Sequence, residues 1–172
     1  MAEAASFTAV VRRSSARPPG AAWHSVPPVA SWSDFEGEAP ELAARVRELL
    51  DAHGHKTIAT IRRDGSPRIS GTETELSDGE LWIGSMRDAL KARDLQRDPR
   101  FALHSASEDP DVWTGDAKLA GRAEEVSRPG ADSHRFRLDL TEVSTVGLDE
   151  GRKFLVIAIW KPGEAVRTIK RA

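Results

Sequence analysis

A pair of strand-like runs joined by Asp64-Gly65 constrains the fold of this chain more than any other feature. Thr57–Ile61 alternates and is rich in β-branched residues, and a second run, Arg68–Leu76, follows the turn. Asp-Gly is a strong hairpin dipeptide, because both central positions of a tight hairpin turn require a positive φ angle. The two runs are therefore predicted to pair as an antiparallel hairpin, which favours a fold built on a β-sheet.

The next part of the chain changes its hydrophobic period. Leu81–Gly84 has the pattern of a short strand, and from Ala89 the apolar residues recur at helical spacing until Asp98-Pro99 ends the helix. A strand that leads into a helix brings free backbone N–H groups and the positive end of the helix dipole to one point. That arrangement suits an anion.

Three residues of the predicted first helical turn could hold such an anion, namely Ser85, Arg87 and Lys91. The Ser85 hydroxyl has an alternative role, because Ser85-x-x-Asp88 has the form of a capping box. In that motif a serine hydroxyl binds backbone N–H groups of its own helix. The two roles are compatible if the anion binds the remaining donors.

The remaining runs predict a small antiparallel barrel. A helix is predicted to begin at Pro40, and its buried face is formed by Leu42, Val46, Leu49 and Leu50. Further strands are predicted at Phe101–Ser105, Lys118–Val126, Phe136–Val143 and Phe154–Trp160, the last of which bends at Pro162-Gly163 and resumes at Ala165–Ile169. Six or seven strands with short turns and two convincing helices predict a mainly β fold, an antiparallel β-barrel with flanking helices.

Length and composition indicate one globular domain. A domain of 172 residues buries about 70% of the surface of its unfolded chain. Residues 1–29 differ from the rest, because they contain several arginines and prolines and few periodic apolar positions. We therefore predict a flexible N-terminal arm at residues 1–29 and a folded domain at residues 30–172.

Composition also excludes several kinds of chemistry. The absence of cysteine excludes disulfides and thiolate catalysis, and the absence of tyrosine removes phenolic acids and bases. The five histidines show no metal-ligand spacing, so no metal is expected. The net charge of −2 gives no reason to expect nucleic acid, and no apolar run approaches the ~20 residues of a membrane span. We expect a cytoplasmic protein without nucleic-acid or membrane partners.

Five short motifs, taken in order, resemble the pyridoxamine 5′-phosphate oxidase-like split β-barrel family of flavin and deazaflavin proteins. They are Asp64-Gly65-x-Pro67, Arg68–Thr72, Gly84-Ser85-Met86, Lys91–Leu95 and Arg97–Arg100, and the resemblance extends from Ala30 to Arg171. It implies a six- to seven-stranded split barrel that binds its cofactor at the interface of a homodimer.

The resemblance also implies that Ser85 and Lys91 bind the cofactor phosphate. The family often has an arginine just before that lysine, whereas this chain has Leu90, so Arg87 or Arg68 would have to substitute.

Gly71 lies within a predicted strand and has two explanations. It marks either a β-bulge or a stretch of backbone that a flat ring approaches closely. In that case Ser70 or Thr72 is expected to hydrogen-bond the polar edge of the ring. The predicted cofactor-binding residues are therefore Arg68, Ser70, Gly71, Thr72, Ser85, Met86, Arg87 and Lys91, and no catalytic residue is predicted.

Two functions remain open at this point. The first is an oxidoreductase that uses FMN, or alternatively the deazaflavin coenzyme (factor 420), to move a hydride to or from a small organic substrate. The second is a non-catalytic carrier or sensor that binds flavin or haem on the same barrel. FMN is the first expectation and haem the last. The longer, acidic tail of a deazaflavin would need further cations, for which Arg62, Arg63 and Arg87 are the candidates.

Overall fold

The computed structural model describes residues 27–126 and 132–172, so most of the predicted arm, residues 1–26, lies outside the described residues. The described chain forms three helices, namely α1 (Trp32–Glu38), α2 (Pro40–Asp51) and α3 (Leu90–Arg97). It also forms nine strands, namely β1 (Lys56–Ile61), β2 (Pro67–Thr72), β3 (Thr74–Ser77), β4 (Glu80–Met86), β5 (Arg100–His104), β6 (Asp116–Glu125), β7 (Ser133–Leu148), β8 (Leu155–Trp160) and β9 (Arg167–Arg171).

The strands form one antiparallel sheet. The order along it is β2-β1-β5-β6-β7-β4-β3, and β8 pairs with both β7 and β9. The long strand β7 divides the sheet, because its first half pairs with β4 and its second half pairs with β8. The predicted fold class, a mainly β antiparallel split barrel with flanking helices, is therefore confirmed.

The predicted hairpin between the two runs is formed, but its turn is wider than the two-residue turn expected at Asp64-Gly65. The Arg62 N–H donates to the Ser66 oxygen at 2.8 Å and the Gly65 N–H to the Arg62 oxygen at 2.9 Å, so residues 63–65 form the loop. β1 and β2 pair without interruption from Ile61 opposite Pro67 to Lys56 opposite Thr72. Gly65 has a φ angle of 87°, a conformation that glycine adopts without steric cost. The turn sequence thus determines the register of the two strands that lead to the candidate site.

The structure has nine strands, where six or seven were expected. The predicted run Arg68–Leu76 is two strands, because β2 pairs with β1 whereas β3 pairs with β4. The chain therefore crosses at Glu73 from one part of the sheet to the other. This crossing brings the end of β2 close to β4.

The helices α1 and α2 cover the barrel, and α2 packs on it with the apolar face that the sequence predicts. Leu42, Val46, Leu49 and Leu50 are all buried. The ring of Phe35 in α1 lies 4.7 Å from that of Trp160 in β8 and 5.4 Å from that of Trp32. Each such buried side chain contributes about 1.5–3 kcal/mol. In the described part of the chain, no helix combines the length and apolar character that crossing a membrane requires.

Candidate cofactor site

Ser85 lies in strand β4 and not in the first turn of a helix. α3 begins only at Leu90, its N-cap residue is Ala89, and no side chain caps it. The capping role considered for Ser85 is therefore wrong. Asp88, the other half of that motif, has a φ angle of 62° and binds Arg93 at 2.8 Å.

The Ser85 hydroxyl is buried without a partner. The residue is 6% exposed, and among the described residues its Oγ makes no hydrogen bond. Burying a hydroxyl in this way costs about 1–3 kcal/mol, so native proteins rarely tolerate it without a reason. A ligand with an acceptor or donor at this point would remove that cost.

Lys91 reaches toward the same region from α3. Its Nζ donates a hydrogen bond to the backbone oxygen of Gly71 in β2, at 2.7 Å. Burial lowers the pKa of Lys91, and the nearby carboxylate of Glu73 opposes that effect. The first backbone N–H groups of α3 also lack intrahelical acceptors. Four kinds of anion-binding group therefore meet here: hydroxyl, ammonium, backbone N–H and helix dipole.

These groups border an open cavity of about 560 Å³ between β2, β4 and the start of α3. We call it the anion pocket, and its lining includes Gly71, Thr72, Gly84, Ser85, Ala89 and Lys91. A side-chain carbon added at Gly71 or Gly84 would meet nothing within 4 Å. Both glycines therefore offer bare backbone that a flat or anionic group can approach.

The bulge considered for Gly71 is wrong. β1 and β2 keep one register throughout, with Thr57 directly opposite Gly71. A bulge would place two residues opposite one and shift that register. Of the two explanations given for glycine at this position, the strand pairing leaves open only the close approach of another group.

The structure brings five of the eight predicted site residues together. Gly71, Thr72, Ser85, Met86 and Lys91 all line the anion pocket. Thr72 is buried on the inner face of β2, whereas Met86 is 81% exposed at the rim. Ser70 lies on the same inner face as Thr72, half-buried and outside the lining.

The other two predicted residues have carboxylate partners. Arg68 Nε donates a 2.6 Å hydrogen bond to Asp94, so it does not point into the anion pocket as a free cation. Arg87 is exposed, and its guanidinium lies 3.2 Å from Asp132. Neither arginine is therefore placed to substitute directly for the family cation that is replaced by Leu90.

Asp94 is a buried acid that sequence reasoning missed. It accepts hydrogen bonds from Thr60 Oγ1 at 2.9 Å, from Arg68 and, at 3.2 Å, from Arg97. Burial alone would raise the pKa of Asp94, but the hydrogen bonds from Arg68, Thr60 and Arg97 outweigh burial and hold that pKa below its usual value. The helix α3 is thereby joined to β1 and β2.

A second feature that the sequence did not reveal is a groove on the outer face of the sheet, also of about 560 Å³. We call it the apolar groove, and its lining includes Thr57, Ala59, Ile69, Ala102, Lys118 and Glu142. Ile69 is 75% exposed there. Gly71 follows Ile69 on the same face of β2 and also lines the anion pocket, so the two spaces adjoin.

His134 is a further neighbour of the anion pocket, since it lies directly opposite Ser85 in the pairing of β4 with β7. Its Nδ1 lies 2.6 Å from Glu125, and Gln96 of α3 donates to the other oxygen of that carboxylate. The hydrogen bonds from His134 and Gln96 lower the pKa of Glu125. In the described ranges, no group of three or more His, Asp or Glu side chains is arranged to hold a metal ion.

Sequence comparison identifies one family. The family model described as pyridoxamine 5′-phosphate oxidase matches residues 42–159, which include every residue of the anion pocket named above. A search of curated proteins found no match.

Three solved structures share the fold. PhzG from Burkholderia lata 383, solved with tetrahydrophenazine-1-carboxylic acid, is 13% identical, with a TM-score of 0.56 over 80% of this chain and 89% of that one. A heme binding protein from Mycobacterium smegmatis is 20% identical, with a TM-score of 0.54 over 77% of this chain and 58% of that one. A putative pyridoxamine 5′-phosphate oxidase from Listeria innocua is 15% identical, with a TM-score of 0.51 over 60% of this chain and 96% of that one. At these identities the likeness concerns the fold alone.

Proposed function

The chain belongs to the pyridoxamine 5′-phosphate oxidase family, and on that premise we propose that it is an oxidoreductase that binds FMN by its phosphate in the anion pocket. A bound flavin would supply the hydride chemistry for a small organic substrate. The protein would hold the phosphate, orient the ring and limit the access of water.

The observation that carries this proposal is the Ser85 hydroxyl, which is buried, makes no hydrogen bond within the described chain and belongs to the lining of the same cavity as the half-buried Lys91. A phosphate oxygen accepts from both groups. Charge-assisted hydrogen bonds of this kind are shorter and about twice as strong as neutral ones. The donor set therefore fits a phosphate monoester.

The adjoining spaces suit the rest of a flavin. With the phosphate at Ser85, the ring can pass over the bare backbone of Gly71 into the apolar groove, where Thr57, Ala59 and Ile69 offer a flat surface. Ser70 and Thr72 face the opposite side of β2, so backbone groups rather than these hydroxyls would meet the polar edge of the ring.

The positions of Arg62, Arg63 and Arg87 favour FMN over a deazaflavin coenzyme. Arg62 and Arg63 stand at the β1–β2 turn, at the opposite end of β2 from Gly71. That separation is on the order of 15 Å along the strand. Arg87 alone stands near the anion pocket, and it pairs with Asp132. An acidic tail would find few cations, whereas a short phosphate needs none beyond Lys91.

A second copy of the chain is the proposed occupant of the apolar groove. Small residues such as Ala59 and Ala102 permit close approach, and Lys118 and Glu142 place opposite charges on the same face. A two-fold axis would pair each Lys118 with the Glu142 of the other copy, beside the 3.4 Å ion pair that Glu142 makes with Lys161 of its own chain. Strand β8 fits this arrangement, because its outward residues continue the same sheet face beyond β7. The cofactor would then be enclosed between subunits.

Absorbance of the purified protein tests the proposal. We expect flavin bands after purification or after incubation with FMN and gel filtration, together with bleaching of those bands by a reduced nicotinamide or another hydride donor. Binding without turnover by any donor would favour the carrier function. A Soret band, with His104 of the groove as the candidate ligand, would favour haem. Binding of neither flavin nor deazaflavin would contradict the proposal.

A further inference from the structure

Two contacts connect helix α3 to strand β2. One joins Lys91 Nζ to the backbone oxygen of Gly71 at 2.7 Å, and the other joins Asp94 to Arg68 Nε at 2.6 Å. Lys91 and Asp94 are one helical turn apart and therefore lie on neighbouring parts of the same helix face. The contacts thus set both the distance and the rotation of α3 relative to β2.

We propose that Asp94 is a positioning residue for the anion pocket, which holds α3 against β1 and β2 so that Lys91 and the first N–H groups of the helix face Ser85. This inference rests on the proposed function, since it assigns a role within the same phosphate site. Asp94 itself touches no ligand. It acts through the orientation of the helix.

The need for such a residue follows from what happens to Lys91 when an anion binds. The Lys91 ammonium must turn from the Gly71 oxygen toward the phosphate, so the first contact between α3 and β2 is given up. The contacts of Asp94 with Arg68 and Thr60 then join the helix to both strands of the hairpin, and Arg97 of the same helix adds a hydrogen bond to the backbone oxygen of Ile61 in β1. The side chain of Asp94 is 5% exposed and that of Arg68 is 19% exposed, so water competes little for the ion pair between them.

The direction in which anion affinity changes when Asp94 is neutralised distinguishes a positioning role from a purely electrostatic one. Asp94 carries a negative charge on the helix that binds the anion, so neutralising it should by Coulomb's law alone strengthen anion binding. If Asp94 instead holds α3 in place, its neutralisation should weaken anion binding. Asp88 offers a matched control, because it is an exposed carboxylate just before the same helix and its partner is Arg93.

The test is the affinity for FMN, measured by quenching of its fluorescence, in Asp94→Asn, Asp88→Asn, Lys91→Met and the double variant Asp94→Asn/Lys91→Met. We expect Asp94→Asn to weaken binding about tenfold and Asp88→Asn to leave it unchanged or strengthen it. In the Lys91→Met background, Asp94→Asn should change affinity by less than about twofold, because residues that act through one another are not additive.

Three results would overturn the inference. The first is an equal change of FMN affinity in Asp94→Asn and Asp88→Asn, and the second is tighter FMN binding by Asp94→Asn. The third is a loss of affinity from Asp94→Asn that is as large in the Lys91→Met background as in the wild type. If Asp94→Asn does not fold, Thr60→Val removes one donor to Asp94 and should weaken binding severalfold, and unchanged affinity in that variant would likewise contradict the inference. Wild-type protein that binds no FMN would overturn the proposed function together with the inference. The three results named first would leave the proposed function intact.

Discussion

Lys91 Nζ lies 2.7 Å from the backbone oxygen of Gly71, so the ammonium of α3 contacts a residue of β2 that lines the anion pocket and is two positions from Ile69 of the apolar groove. An ammonium half-buried on a neutral carbonyl is poorly compensated, and burial lowers its pKa. A phosphate provides the opposite charge. The contact is therefore the one that ligand binding should change most.

Replacing this lysine should affect the cofactor more than replacing a neighbouring arginine. We expect Lys91→Ala to weaken FMN binding by more than tenfold, because a charge-assisted contact to phosphate contributes about 1.5–3 kcal/mol. Arg93 is the control, since it stands two residues later, is exposed and binds Asp88. Arg93→Ala should change affinity by less than about twofold. Similar losses in both variants, measured by fluorescence titration, would place the phosphate elsewhere.

The Ser85 hydroxyl should contribute to binding at the expense of stability. We expect Ser85→Ala to weaken FMN binding while leaving the free energy of unfolding of the ligand-free protein unchanged or about 1 kcal/mol higher, because the variant removes an unbonded buried hydroxyl.

Ser105 provides the matched control for this pair of measurements. It is 2% exposed, and its Oγ accepts a 3.0 Å hydrogen bond from the backbone N–H of Ala117. Ser105→Ala should therefore lower the free energy of unfolding by about 1–3 kcal/mol in urea and leave FMN affinity unchanged. A loss of stability in Ser85→Ala as large as in Ser105→Ala would indicate that the Ser85 hydroxyl already has a partner.

Sequence reasoning succeeded where the determinants are local. Asp64-Gly65 correctly marks the position of a hairpin, and Gly65 has the expected positive φ angle, although Asp64 does not and the loop spans residues 63–65. The buried face of α2 follows from helical periodicity alone. These features depend on neighbours within a few positions, which the sequence displays directly.

Sequence reasoning failed where distant segments decide the outcome. Arg68 looked like a free cation because its partner, Asp94, is far along the chain and on another element. The start of α3 was placed too early, since β4 continues through Ser85 and Met86 to pair with β7. The apolar groove combines five strands, and only their register reveals that its residues share one face.

The homodimer proposal predicts that an exposed apolar residue of the groove is needed for assembly. Ile69→Asp should convert a dimer into a monomer in light scattering, because two carboxylates would be buried at a two-fold interface. Val112 is the control, as it is 64% exposed and lies outside the groove. Val112→Asp should leave the molar mass unchanged. A wild-type monomer at micromolar concentration would contradict the proposal.

The ion pair of Asp94 predicts the response of stability to acid. Its folded-state pKa lies below the usual value, so its contribution is present above the unfolded pKa of about 3.9 and is lost as pH falls through the folded pKa. Asp94→Asn should reduce the free energy of unfolding by about 3 kcal/mol at neutral pH.

The difference between wild type and Asp94→Asn should accordingly shrink below about pH 4. Urea denaturation at several pH values measures the stability difference at neutral pH and its decrease in acid. A stability difference that stays constant from neutral pH to strongly acidic pH would show that the Asp94 carboxylate is not ionised in the folded protein.

The most direct measurement is a crystal structure of the protein with FMN. We expect the phosphate within hydrogen-bond distance of both Ser85 Oγ and Lys91 Nζ, with the contact between Lys91 and the Gly71 oxygen broken and the ring passing over Gly71. A phosphate bound elsewhere, or a Lys91 that remains on the Gly71 oxygen while FMN is bound, would contradict the proposal.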